Sequence, residues 1–214
     1  MPTHAVIFDM DGVLIDSGAH HRAAWRALLD ELGVVPAEPD YWRLTIGRPS
    51  VEAVPLLLGR ETSRAEAQQL AARKQEHYRR LAGVGPALVR GVAEFVGELA
   101  GLRVPRAVAT SAARQDVEGL LTRARLRDRF EVVVAAEDVR RGKPDPEVYL
   151  LAARRLGVEP AQCLVFEDAV VGVQAARRAG MRAIGVSTAH TESELRAAGA
   201  ERAVTDFEGV AWPA

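Results

Sequence analysis

The sequence predicts an α/β fold: a doubly wound parallel sheet with helices on both faces and a helical insert after the first strand. Three observations predict it. Short apolar runs such as Ala5-Val6-Ile7-Phe8 are continuous rather than alternating, as strands buried on both faces require. Helical stretches separate most of these runs. From about Ser17 to Gly85 the alternation stops, and only helical signals remain.

Ala5–Phe8 is the first strand. In the insert, Ala24, Leu28 and Leu32 recur at helical spacing and predict a helix over His21–Leu32. Ser63-Arg64-Ala65-Glu66 is a capping box that opens a second helix to about Leu81. The edges of the insert, Ser17-Gly18 and Gly83-Val84-Gly85-Pro86, have the turn-prone composition of a hinge. Arg106–Ala109, Val132–Ala136, Leu164–Phe166, Ala183–Val186 and Ala203–Val204 read as the remaining strands. Asp116–Leu126, Pro146–Leu156 and Gly172–Ala179 read as helices between them, with Gly157 and Gly180 at C-terminal caps. Thr191-Glu192-Ser193-Glu194 is a second capping box. The division expected is 1–16 with 87–214 for the sheet domain, and 17–86 for the helical one.

The 214 residues are 48% hydrophobic and 27% charged, which allows one full core and a small second domain. A net charge of −1 creates no field favouring nucleic acid or an anionic membrane, and neither partner is expected. Cys163 is the one cysteine, so no internal disulfide forms, and it reads as a buried residue at a strand start. No apolar run approaches the ~18 residues of a membrane span. The N-terminal apolar stretch is broken by Asp9 and Asp11 and lacks a basic flank, unlike a secretory signal. A soluble, cytoplasmic protein acting as a monomer is expected. Of 28 lysines and arginines, only Lys74 and Lys143 are lysines. Against that arginine background each lysine marks a place where a compact ammonium is needed, or a chance survivor.

Four segments carry chemistry. Asp9 and Asp11 follow the first strand, and ligands collect at the carboxyl ends of strands in such sheets. Two carboxylates that close repel unless a cation or a proton sits between them. They suit a magnesium site where one attacks and the other moves a proton; alternatively they shape a turn. An EF-hand calcium loop is excluded, because its twelfth position, counted from Asp9, is His20 rather than an acid. Thr110-Ser111 end the second strand, where a hydroxyl and free N–H groups either cradle phosphate or cap the next helix. Lys143, in Gly142-Lys143-Pro144, is biased towards an extended conformation and reaches into the site or into solvent. Glu167-Asp168 follow another strand and either complete a magnesium site with Asp9 or favour a helix start.

Together these segments resemble the haloacid dehalogenase superfamily. Its four motifs stand in order: Phe8-Asp9-Met10-Asp11-Gly12-Val13, Thr110-Ser111, Gly142-Lys143-Pro144 and Phe166-Glu167-Asp168. The insert resembles the α-helical C1 cap of the branch containing β-phosphoglucomutase and sugar-phosphate phosphatases, on a Rossmann-like core. The resemblance implies that Asp9 attacks phosphorus to form an aspartyl-phosphate. It implies that Asp11 is the acid and base. Thr110 and Ser111 would bind the phosphoryl group, and Lys143 would neutralise it. Mg2+ would sit on the Asp9 carboxylate, the Asp11 carbonyl and Asp168, with Glu167 supporting. His21 is similar to the cap histidine that steadies the acid/base aspartate; His20 and a plain surface histidine are the alternatives. Lys74 is similar to a cap lysine that contacts substrate phosphate. Arg48, Ser50 and Arg114 are further candidates for substrate binding. Ser50 stands where the mutase has an arginine gripping the distal phosphate, so a phosphatase of small phosphorylated sugars is expected over a mutase interconverting β-glucose 1-phosphate and glucose 6-phosphate.

Overall fold

A computed structural model describes residues 4–36, 39–82 and 87–213. Six strands form one wholly parallel sheet. They are β1 (Ala5–Phe8), β2 (Arg106–Ala109), β3 (Val132–Val134), β4 (Cys163–Glu167), β5 (Arg182–Val186) and β6 (Arg202–Val204). The order is β3-β2-β1-β4-β5-β6. The chain builds outward from β1 on one side, then crosses to β4 and builds outward on the other. The switch point therefore lies between β1 and β4, where a crevice opens at the strands' carboxyl ends.

Side-chain alternation divides the core into two faces. Val6, Phe8, Val108, Leu164 and Phe166 point to one, against α4 (Val92–Gly101) and α5 (Arg114–Arg123). Phe8, Phe95, Phe166 and Phe207 cluster there with ring centroids 5.1–6.2 Å apart. Ala5, Ile7, Ala107, Ala109 and Val165 point to the other face, against α6 (Glu147–Leu156) and α7 (Val170–Arg178). Alanines dominate this second face and let its helices approach closely. α8 (Glu192–Ala197) follows β5, and its capping box is complete.

The described residues of the insert form three α-helices: α1 (Gly18–Leu32), α2 (Ser50–Leu58) and α3 (Arg64–Leu81). They share a separate apolar cluster built on Trp25, Leu28, Val54, Leu57 and Leu70. Among the described residues 18–82 there is no strand. The segment Gly83–Pro86, read as a hinge, lies outside the described residues.

Several boundaries differ from the sequence reading. Val134 ends β3, because a 3-10 turn takes Ala136–Asp138. Helix α5 begins at Arg114 and ends at Arg123, and α7 begins at Val170. At α3, Ser63 accepts the Glu66 N–H, but the Glu66 carboxylate pairs with Arg60, so only half of the capping box is made.

Candidate active site

The carboxyl ends of four strands or their following loops converge at the switch point. Asp9 follows β1, Thr110 follows β2, Lys143 precedes α6, and Glu167-Asp168 end β4. Lys143 Nζ donates to Asp9 Oδ1 at 2.6 Å and to Glu167 Oε1 at 3.2 Å. It lies 5.0 Å from the Tyr149 ring centroid, a cation–π contact. Lys143 is 1% exposed. Thr110 is buried, with its Oγ1 accepting the Ala112 N–H rather than capping α5.

Asp9, Glu167 and Asp168 bring carboxylate oxygens within 4.8 Å of one another. Burial pushes all three carboxyls up, Glu167 to about 8 and Asp168 well above its usual range, and their mutual repulsion adds to this. Burial opposes the charge on Lys143 too, but Asp9 and Glu167 outweigh it and hold the ammonium protonated. One ammonium does not balance three buried carboxylates. Glu167 Oε2 has no hydrogen-bond partner among the described residues. A hard oxygen donor set with an orphaned carboxylate oxygen fits a divalent cation such as Mg2+.

Two glycines let the backbone close on these acids. A Cβ at Gly172 would lie 1.7 Å from Glu167 Oε1. At Gly12 it would lie 1.9 Å from Asp168 Oδ2, and the φ of +76° disfavours any other residue.

Asp11 is turned the other way, towards the helical insert, and its carboxylate is outside the acidic cluster. Ser17 Oγ donates to Asp11 Oδ1 at 2.6 Å, and His21 Nε2 meets the same oxygen at 3.0 Å. Lys74 Nζ lies 2.7 Å from His21 Nδ1. Burial lowers both bases, leaving Lys74 at about 8 and His21 below its usual range. An ammonium has no acceptor, so Lys74 as an ammonium can only donate to Nδ1, which leaves Nε2–H to donate to Asp11. Burial works against ionising Asp11, but His21, Ser17 and Lys74 overcome it and bring the carboxyl down to about 2.

Above these groups lies a cavity of about 480 Å³. Asp9, Asp11, Thr110 and Ser111 line its sheet side; Trp25, Trp42, Arg48 and Ser50 line the insert side. Ser111 Oγ donates across to the Gly47 carbonyl at 2.9 Å. Arg48 makes no side-chain hydrogen bond or ion pair among the described residues.

The structure thus brings together Asp9, Asp11, Thr110, Ser111, Lys143, Glu167, Asp168, His21, Lys74, Arg48 and Ser50. Lys74 sits behind His21 and is only 2% exposed. Arg114 does not reach the cavity. As the first residue of α5 it points away, and its guanidinium pairs with Asp138 and Glu118. Sequence reading missed four neighbours of the site. Thr188, whose Oγ1 donates to the Gly12 carbonyl at 2.6 Å, follows β5 and was available to the same strand-end logic. Ser17 was read only as a hinge edge. Tyr149, over Lys143, and Tyr78, stacked 4.3 Å from His21, carry only the pattern of core residues.

The model of the haloacid dehalogenase-like hydrolase family matches residues 3–180. The chain is 38% identical over 212 residues to validoxylamine A 7'-phosphate phosphatase of Streptomyces hygroscopicus subsp. limoneus, covering 97% of this chain and 95% of the relative. It is 39% identical over 184 residues to the fructose-1-phosphate phosphatase YqaB of Escherichia coli (strain K12), covering 85% and 95%. It is 33% identical over 189 residues to β-phosphoglucomutase of Bacillus subtilis (strain 168), covering 85% and 82%. With a parallel sheet, a switch-point lysine–carboxylate cluster and a match spanning both, the chain belongs to the haloacid dehalogenase-like hydrolase family.

Proposed function

We propose that this chain is a magnesium-dependent phosphatase of small phosphorylated sugars, working through a phosphoaspartate on Asp9. The observation that carries the reading is the buried Lys143, held between Glu167 and the Asp9 that lines a cavity roofed by the insert. Two relatives named as phosphatases, one of fructose 1-phosphate and one of validoxylamine A 7'-phosphate, support it.

Lys143 occupies Asp9 Oδ1, leaving Oδ2 to attack phosphorus. The P–O ester bond breaks as the O–P bond to Asp9 forms. Asp11 gives the leaving oxygen its proton. It is ionised in the free protein, so a phosphate monoester that binds as its monoanion brings the proton, which passes to Asp11 and from there to the leaving oxygen. Asp11 then takes a proton from water, which attacks the phosphoaspartate and releases phosphate. Thr110 and the Ser111 backbone position the phosphoryl oxygens. Asp9, Glu167, Asp168 and the Asp11 carbonyl would hold Mg2+, which supplies charge neutralisation when bound.

Arg48, on the cavity wall and without a partner among the described residues, favours the mutase as a second reading, because a guanidinium there suits a distal phosphate. One experiment separates them. The protein, Mg2+ and β-glucose 1-phosphate are combined with and without catalytic glucose 1,6-bisphosphate, with Asp9→Asn as blank. Free phosphate without glucose 6-phosphate is expected. Glucose 6-phosphate far outrunning phosphate establishes the mutase, and neither product from any sugar phosphate removes both readings.

A further inference from the structure

Besides the contacts of Asp11 with Ser17 and His21, three side-chain joints tie the insert to the sheet half around the cavity among the described residues. Ser111 reaches Gly47, and Arg43 pairs with Glu194 at the start of α8. The third is built more tightly. Asp116, in the first turn of α5, accepts Arg79 Nε on Oδ1 at 2.8 Å. Its Oδ2 accepts Arg79 Nη2 at 3.1 Å and Gln75 Nε2 at 3.0 Å. The Asp116 side chain is 10% exposed, against 40% for Glu194. Gln75 and Arg79 are one turn apart on α3, so a single carboxylate clasps one face of that helix.

The connections at each end give this joint its meaning. Asp116 stands on the helix that leaves the Thr110-Ser111 strand end. Gln75 is next to Lys74, which holds His21 and through it Asp11. We propose that Asp116 is a positioning residue: with Gln75 and Arg79 it latches α3 onto α5, keeping the Lys74–His21–Asp11 chain in register with Asp9 while the cavity is closed. The inference rests on the phosphoryl-transfer reading for its kinetic effect, but not for the latch itself. Lifting the insert must break three hydrogen bonds to one screened carboxylate, two of them from a half-exposed guanidinium, whereas the Arg43–Glu194 pair is a single contact.

The test has a structural and a kinetic arm. In a Trp212→Phe background the remaining tryptophans, Trp25 and Trp42, both line the cavity. Asp116→Ala should raise acrylamide quenching of their fluorescence at least twofold in the unliganded protein, with Asp116→Glu restoring part of the protection. Unchanged quenching overturns the latch, whatever the substrate proves to be. In the kinetic arm, Asp116→Ala and Arg79→Ala should each lower kcat/KM for a hexose phosphate about tenfold. The double variant should be no worse than either single one. Acetyl phosphate has a leaving group that neither reaches the insert nor needs a proton, so its kcat/KM should change less than twofold. Equal losses on both substrates, or additive losses in the double variant, overturn the positioning role. A protein that hydrolyses neither substrate but still shows the quenching change keeps the latch and loses the function.

Discussion

The two walls of the cavity are made in different ways. On the sheet side, Asp9, Thr110, Glu167 and Asp168 are set by β-ladder pairing, which fixes their backbone before any side chain is chosen. Phe8 opposes both Val108 and Phe166, so the residues that follow them emerge side by side. On the insert side, His21, Lys74 and Arg48 come from helices and a loop that share their own small apolar cluster and meet the sheet half through side-chain joints. The sheet wall is buried and highly charged, and in the proposed reaction it would hold the reacting groups. The insert wall would set the proton position and choose what may enter. Substitutions on the two sides should therefore fail differently.

Lys143→Arg should give the largest loss. It keeps the positive charge, but the ammonium is wedged between two carboxylates and Tyr149, and a longer planar fork has no room there. We expect kcat to fall about 10²–10³-fold with the fold retained, measured as phosphate release and thermal unfolding. Activity within tenfold of wild type would mean that charge alone suffices, and that the sheet wall is less exacting than its geometry implies.

Gly172→Ala tests the same wall from behind. Helix propensity alone predicts a gain of about 1 kcal/mol for glycine to alanine. The clash with Glu167 predicts the reverse, because the added methyl overlaps Oε1. We expect Mg2+ dependence to weaken about 10–100-fold, read by titrating activity against Mg2+, together with a lower melting temperature. A stabilised protein with unchanged Mg2+ dependence would free Glu167 from any part in holding the ion.

Lys74→Met probes the insert wall by pH. Burial brings the Lys74 ammonium from 10.5 down to about 8. Between those values the unfolded chain binds a proton that the folded chain has lost, so wild-type stability should rise as pH rises from about 8 to 10.5. The rise is at most about 3 kcal/mol. Lys74→Met should lack that rise in denaturant titrations. Its kcat should also lack the alkaline fall near pH 8 that follows when Lys74 loses the proton it donates to His21. A fall at the same pH in the variant would assign it to another group.

The sheet wall was the more legible in sequence because its signals are local. A buried strand announces itself in four or five apolar residues, and the polar residues that follow it are candidates for the site. That logic points to Asp9, Thr110, Glu167 and Asp168, and it applies equally to Thr188. The insert wall depends on how helices pack, which a helical period leaves undetermined. His21 and Lys74 came from family resemblance, but their 2.7 Å contact across 53 residues of chain had no local signal. Arg114 failed for the complementary reason. It is a candidate by sequence, but the direction of a helix's first residue is set by its partners, here Asp138 and Glu118.

Arg48→Ala should give the smallest effect and the sharpest test of the division. Arg48 lines the cavity without a partner among the described residues, and it is remote from the Asp9–Lys143 pair in chemistry if not in space. A charged hydrogen bond to the body of a substrate is worth about 1.5–3 kcal/mol when fully formed, and an accessible one less. KM for a hexose phosphate should rise about three- to tenfold with kcat little changed, since a contact made equally in the bound and transition states moves KM alone. With acetyl phosphate, too short to span the cavity, neither constant should move. A fall in kcat on both substrates would place Arg48 in the chemistry and erase the distinction between a wall that reacts and a wall that selects.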